Sequence, residues 1–145
     1  MNPITIVPAE EHDLPEVLEL LRTQELPVLG LERHLSETLV AKQAGAIVGT
    51  VAVELYADGG LLRSVAVADL VKGTGLGRAL TDRALQLARD RGLRNVFLLT
   101  TTAERYFPKF GFENISRDDV PDSVRQSVEF TTACPASAVV MRLRL

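Results

Sequence analysis

The residues of this chain best placed to do chemistry are Lys72-Gly73-Thr74-Gly75-Leu76-Gly77-Arg78. They stand between an apolar run, Leu61 to Val67, and an amphipathic run, Leu76 to Arg91. A strand, a glycine-rich turn and a helix in that order make a seat for a pyrophosphate. Glycines let the backbone approach an anion closely, and N–H groups of the first helical turn point at it. Seven basic residues and three acids lie between Arg63 and Arg94, although the whole chain carries a net charge of −3. That local excess suits a polyanionic ligand. A second candidate is Glu54, a carboxylate in the otherwise apolar run Val51-Ala52-Val53-Glu54-Leu55-Tyr56. A charge there faces either solvent or a site. Alternation puts Glu54 and Tyr56 on one face of a strand, and Arg63 and Val65 together on another.

The elements that must position these residues follow from periodicity. Thr5 to Val7 reads as a first strand. Asp13 is placed to cap a helix, with Glu16 completing a capping box ahead of the stripe Leu14, Val17, Leu18 and Leu21. Residues 24–33 contain Pro27 and Gly30 and read as a loop. Thr38 to Lys42 and Ala46 to Tyr56 form a hairpin around Gln43-Ala44-Gly45, and Asp58-Gly59-Gly60 turns the chain into a third strand, Leu61 to Val67. The next helix presents Leu76, Ala79, Leu80, Ala84, Leu87 and Ala88 on one side and ends at Gly92. Val96 to Leu99 is a buried strand, Ala103 to Phe110 a short helix stopped by Gly111, and Phe112 to Ile115 another strand. A helix from Asp118 to about Val128 precedes a last strand, Ala138 to Leu145. The strand–helix–strand unit across Gly75 implies a parallel pair, and the hairpins an antiparallel part. The expected fold class is therefore mixed α/β (α+β), a twisted sheet of six to seven strands flanked by helices.

The 145 residues fit a single domain, residues 1–145. Hydrophobic residues at 46% and charged residues at 24% describe an ordinary globular composition. The slightly acidic charge gives no general pull toward nucleic acid or anionic membrane. One cysteine, Cys134, excludes an internal disulfide framework and points to a cytoplasmic location. No apolar stretch is long enough to span a membrane. No spacing of His, Cys, Asp and Glu suggests a metal site. One thiol is a poor soft-metal site, so Cys134 reads as a small buried hydrophobe or loop residue.

The element order and four motifs resemble the GCN5-related N-acetyltransferase (GNAT) family over essentially the whole chain. Lys72-Gly73-Thr74-Gly75-Leu76-Gly77 matches the family's Gln/Arg-x-x-Gly-x-Gly/Ala pattern. Val65-Ala66-Val67 lies just upstream of it, the helix lies just downstream, and Tyr106-Phe107-Pro108-Lys109-Phe110-Gly111-Phe112 resembles a later family segment. The resemblance implies a splayed parallel strand pair holding acetyl-CoA as co-substrate. Val65, Ala66 and Val67 would face the pantetheine, with Val67 as the oxyanion donor. Lys72, Gly73, Thr74, Gly75, Leu76, Gly77 and Arg78 would hold the pyrophosphate. The family's usual thiolate-protonating tyrosine falls on Phe107, which leaves the adjacent Tyr106 as the catalytic candidate, and its frequent asparagine falls on Thr100. Glu54 is the expected proton acceptor.

Leu62 to Val67, Val120-Pro121, Arg125 to Phe130 and Cys134 to Ala138 further resemble the arsenic-resistance and amino-acid N-acetyltransferase subgroup. The acceptor implied is a small carboxylate-bearing amine, an amino acid or an arsenic or phosphorus analogue, oriented by Arg63 and Arg125. The alternatives are another amine (a protein N-terminus, a polyamine or an antibiotic) or a non-catalytic acetyl-CoA-binding sensor. Neither nucleic acid nor membrane is an expected partner. Exposed strands at the sheet ends make a homodimer plausible.

Overall fold

A computed structural model describes residues 2–133 and 137–145. Cys134 lies outside them, so the expectation for its thiol is left where the sequence put it. Among the described residues, seven strands and three α-helices follow one another as β1 (Ile4–Pro8), α1 (Leu14–Thr23), β2 (Thr38–Gln43), β3 (Ala46–Tyr56), β4 (Gly59–Val67), α2 (Leu76–Asp90), β5 (Asn95–Thr100), β6 (Glu113–Ile115), α3 (Asp122–Arg125) and β7 (Val139–Arg144). The strands form one sheet in the order β1-β2-β3-β4-β5-β7-β6. Every neighbouring pair is antiparallel except β4–β5, the parallel pair that α2 connects.

Alternation along the strands divides the core between two faces. Val51, Val53, Leu62, Val96, Leu98 and Met141 pack with the apolar side of α2. On the other face, Val40, Ala52 and Ala66 pack with Val17, Leu20 and Leu21 of α1, and Leu61, Phe97 and Val140 pack with Val120 and Val124. The buried stripe of α2 is Leu76, Leu80, Thr81, Ala84, Leu85 and Ala88, with Ala79 and Leu87 at its margins. Gly49 is what brings α2 this close. A Cβ there would lie 2.8 Å from Leu80 Cδ1 and 3.1 Å from Leu76 Cδ2.

Several local expectations give way to tertiary contacts. The capping box lies one turn earlier than the sequence suggests, between Glu10 and Asp13, and closes a 3-10 turn at Glu11–Asp13. Glu16 instead accepts the Ile47 N–H at 2.7 Å, tying α1 to β3. The loop after α1 ends in a 3-10 segment, Leu31–Glu37. Residues 103–110 are a turn followed by a 3-10 segment, Phe107–Phe110, with Pro108 at its start; Gly111 stops it in the left-handed region, φ 101°. The long helix expected from Asp118 is broken into a 3-10 turn, the single helical turn α3, and a π-type turn at Glu129–Ala133.

β4 carries the irregularity that matters most. Ala52 pairs with Arg63, but Thr50 pairs with Ala66, so one residue of β3 opposes two of β4. Ser64 sits at this bulge with φ 60°. The bulge reverses the alternation: Leu61 and Arg63 are on the α1 face, yet so is Ala66, while Val65 and Val67 pack toward α2. Arg63 and Val65 therefore do not share a face, because an inserted residue shifts every later side chain by one step.

Candidate active site

β4 and β5 pair only at Gly60↔Val96 and Leu61↔Phe97. Beyond Leu61 they part, and a cleft of about 720 Å³ opens between them. Its walls are Leu62 to Val67 on one side and Leu98 to Ala103 on the other. The loop after α1 covers one end, and the glycine turn with the start of α2 lies at the other. Ala68 donates to the Val48 carbonyl at 2.8 Å. Val67 and Gly49, one step earlier in the same register, are then a non-hydrogen-bonded pair. In an antiparallel ladder this turns the N–H and C=O of Val67 away from β3 and toward the cleft.

The anion seat has the backbone that its sequence demands. Gly73 (φ 81°) and Gly75 (φ 86°) are both left-handed, and a Cβ on either would meet nothing within 4 Å. That open space is where a ligand can touch main chain. Gly75 caps α2 without any side-chain capping bond. The first intrahelical bond of α2 runs from Ala79 N–H to the Gly75 carbonyl at 3.0 Å, so the N–H groups of Leu76, Gly77 and Arg78 precede the helical ladder. Lys72, Thr74 and Arg78 are exposed around this turn. Lys72 pairs with Asp69 at 2.9 Å, and Arg78 lies 6.0 Å from the Phe110 ring centre. Gly77 has a different reason to be small, since a Cβ there would come within 3.3 Å of the Tyr106 hydroxyl.

Tyr106 borders the cleft, and its phenol reaches the first turn of α2 at Gly77. Burial pushes its pKa above the ordinary phenol value, so it is protonated at neutral pH and able to donate. Phe107 is buried beside it in an edge-to-face pair. Thr100 also borders the cleft, and its hydroxyl accepts the Ala103 N–H at 2.8 Å.

Three other sequence candidates are placed differently from expectation. Glu54 is fully buried and does not border the cleft. Its carboxylate accepts hydrogen bonds from Tyr56 Oη, Ser127 Oγ and Arg63 Nη1, the last at 2.9 Å, and His34 Nε2 lies at 3.6 Å. Burial alone would raise the Glu54 pKa; the bonds from Ser127, Tyr56 and Arg63, with His34 nearby, outweigh it and hold the carboxyl below its usual range. A carboxylate so enclosed and so weakly basic is poorly suited to take a substrate proton. Burial and the Glu54 charge push the Tyr56 phenol far above its ordinary value.

Arg63 borders the cleft, but its guanidinium is committed. It donates to Glu54, to the Leu29 carbonyl at 2.9 Å, to the Pro27 carbonyl at 3.3 Å and to Ser64 Oγ at 3.1 Å. Instead of offering a free fork to a substrate, it ties the loop after α1 to the bulge. Arg125 is exposed and pairs with Asp122 of its own helical turn at 2.8 Å, away from the cleft. Sequence reasoning missed Ser127 and Glu129 as members of this cluster. Ser127 is 73 residues from Glu54, and no local pattern signals such a contact.

Among the described residues, Glu10, His12 and Asp13 come within metal-ligand distance of one another. Their arrangement is accounted for by the capping box and by Lys42, 3.1 Å from Asp13. Also among the described residues, no helix is long and apolar enough to cross a membrane.

A parallel strand pair parted over a glycine-lined helix N-terminus is the architecture of an acyl-group transferase that holds a nucleotide-bearing thioester. Residues 34–114 match the model of the acetyltransferase (GNAT) domain, and the chain belongs to that family of N-acetyltransferases. An amino-acid acetyltransferase of Mycobacterium tuberculosis is 35% identical over 127 residues, covering 80% of this chain and 72% of the relative. One from Neisseria meningitidis is 28% identical over 132 residues, covering 85% of this chain. The chain spans only 30% of the length of that Neisseria relative. Among solved structures, N-acetylglutamate synthase of Neisseria gonorrhoeae, complexed with coenzyme A and N-acetyl-glutamate, superposes with a TM-score of 0.84 at 25% identity, covering 99% of this chain and 35% of that one. A Mycobacterium tuberculosis protein in complex with CoA superposes at 0.82 with 28% identity, covering 97% and 99%.

Proposed function

We propose that this protein transfers the acetyl group of acetyl-CoA to the amine of an amino acid. The observation that carries the reading is the parting of β4 from β5 directly above the Gly73–Gly75 turn. An extended ligand with an anionic end matches both features: amides pair with the strand edge, and a pyrophosphate meets the N–H groups of α2. The amino-acid acetyltransferase relatives favour an amino acid as acceptor.

In this reading the amine nitrogen attacks the thioester carbonyl in a ternary complex. A carbon–nitrogen bond forms and the carbon–sulfur bond breaks. Val67 N–H stabilises the developing oxyanion. Tyr106 supplies a proton to the departing sulfur; its place on the wall of the cleft that Val67 also lines supports that role, although it stands one residue before the family's usual position. Arg63 and Glu54 act on the acceptor side as positioning residues. The finer acceptor, a carboxylate-bearing amino acid or its arsenic or phosphorus analogue, is part of this proposal.

Thiol release from acetyl-CoA tests it, measured with a panel of amino acids and their arsenic- and phosphorus-containing analogues beside calorimetric titration of acetyl-CoA. Release with an amino acid is the expected result. Tight acetyl-CoA binding without release from any amine would replace the enzyme with a sensor, a reading that Phe107 favours.

A further inference from the structure

Two carboxylates border the cleft among the described residues, Glu25 and Glu129. Glu25 is exposed at the mouth, whereas Glu129 is 5% exposed. We propose that Glu129, in the turn after α3, receives the ammonium group of the acceptor and takes its proton. This rests on the acetyltransferase reading above and names the residue that would prepare the amine.

The anion seat belongs to α2, which packs on one face of the sheet. The opposite face carries Arg63, Glu54, Ser127 and the loop after α1. A nucleophile must reach the thioester from a side the coenzyme does not occupy, so the acceptor belongs on this second face. Glu129 Oε2 lies 4.0 Å from Arg63 Nη2 there. Its backbone is held in place, because the Glu129 N–H donates to Ser127 Oγ at 3.1 Å and Ser127 Oγ donates to Glu54. Gly30 packs against the same turn, and a Cβ on it would come within 2.8 Å of Val128 Cγ1.

The charges on this face come from β3, β4, the 3-10 segment after α1 and the turn itself. Among the described residues they include Glu54, Arg63 and Glu129, with His34 beside Glu54 and the neutral phenol of Tyr56 hydrogen-bonded to it. Arg63 is shared between Glu54 and Glu129, so this one cation does not neutralise both carboxylates. That favours an ammonium group over a second carboxylate. In the step itself the bound ammonium gives one proton to Glu129 and becomes a nucleophilic amine. Attack on the thioester carbon forms the C–N bond. As the C–S bond breaks, Tyr106 gives its proton to the departing sulfur and recovers one from solvent, the nitrogen releases its second proton to solvent, and Glu129 returns its proton to water.

The experiment compares the parent enzyme with Glu129→Gln and Glu129→Asp, using L-glutamate, L-glutamine and the analogue panel as acceptors. Retained calorimetric binding of acetyl-CoA certifies the fold of each variant. The expected result for Glu129→Gln is a fall in kcat/KM for the amine of about 100-fold or more, loss of the acidic limb of its pH profile, and unchanged acetyl-CoA affinity. Glu129→Asp should restore part of the rate and the acidic limb. If Glu129→Gln loses acetyl-CoA binding, the Asp variant decides: an intact limb supports the assignment and an absent one overturns it. An active parent whose Glu129→Gln variant keeps its kcat/KM and pH profile overturns the inference alone. A parent inactive with every amine overturns the acetyltransferase reading, and the inference with it.

Discussion

The Glu54–Arg63 pair shows how a residue can matter to a site without touching the substrate. Both side chains are fully buried, and removing one partner of such a pair strands the other charge. Glu54→Gln should therefore cost stability of about 3 to 5 kcal/mol and lower Tm in a thermal melt by on the order of 10 °C, with acetyl-CoA affinity kept at temperatures where the variant is folded. If the melt is unchanged and only turnover falls, Glu54 belongs to the chemistry instead. The pH dependence has a definite sign. The folded-state pKa of Glu54 is depressed below 4.5, so its contribution is complete above that value and is lost as pH falls through the lower folded value. Acid titrations followed by circular dichroism should show Glu54→Gln converging on the parent at low pH, with the gap between them fully open by about pH 4.5 and constant above it. The sequence exposed Glu54 as an anomaly because a lone carboxylate interrupts an apolar strand. It gave no sign of what surrounds that carboxylate, since Ser127 and His34 arrive from distant segments. Tyr56, two residues away on the same face, was the one partner within reach of a local pattern.

At the scale of elements, the glycine turn and the helix after it do separate jobs. Gly75→Asn tests the turn, because asparagine tolerates the left-handed region while placing an amide in space that is open in this structure. Acetyl-CoA affinity should fall at least tenfold by calorimetry with Tm nearly unchanged; undiminished affinity would remove the pyrophosphate from this turn. Gly49→Ala tests the packing of α2, since the added carbon lands 2.8 Å from a buried leucine. It should cost about 1 to 3 kcal/mol by denaturant unfolding. The hairpins, α2 and the glycine stops were legible because each rests on local signals: Ala44 and Gly45 both adopt positive φ, and Gly92 closes α2 at φ 80°. The bulge at Ser64 was not legible. Serine does not advertise a left-handed conformation, and here its hydroxyl holds the position by accepting from Arg63. The helix expected from Asp118 failed for a similar reason, as buried contacts of Val120, Val124 and Ser127 override its periodicity.

The whole molecule is a sheet in two parts. The meander β2 to β4 was readable from turn signals, whereas the pairing of β1 with β2 across α1 and the insertion of β7 between β5 and β6 were not, because such pairing leaves no trace in local sequence. Only two rungs of parallel ladder, Gly60↔Val96 and Leu61↔Phe97, stitch the parts together; α2 and the packed side chains do the rest. So weak a seam predicts two cooperative opening units. In native-state hydrogen exchange of the unliganded protein, amides of β5 and β7 should exchange at a free energy distinct from those of β2 and β3. Acetyl-CoA would then serve as a missing strand, and saturating it should merge the two units into one slow class. A single class in the unliganded protein would mean that α2 alone already welds the halves.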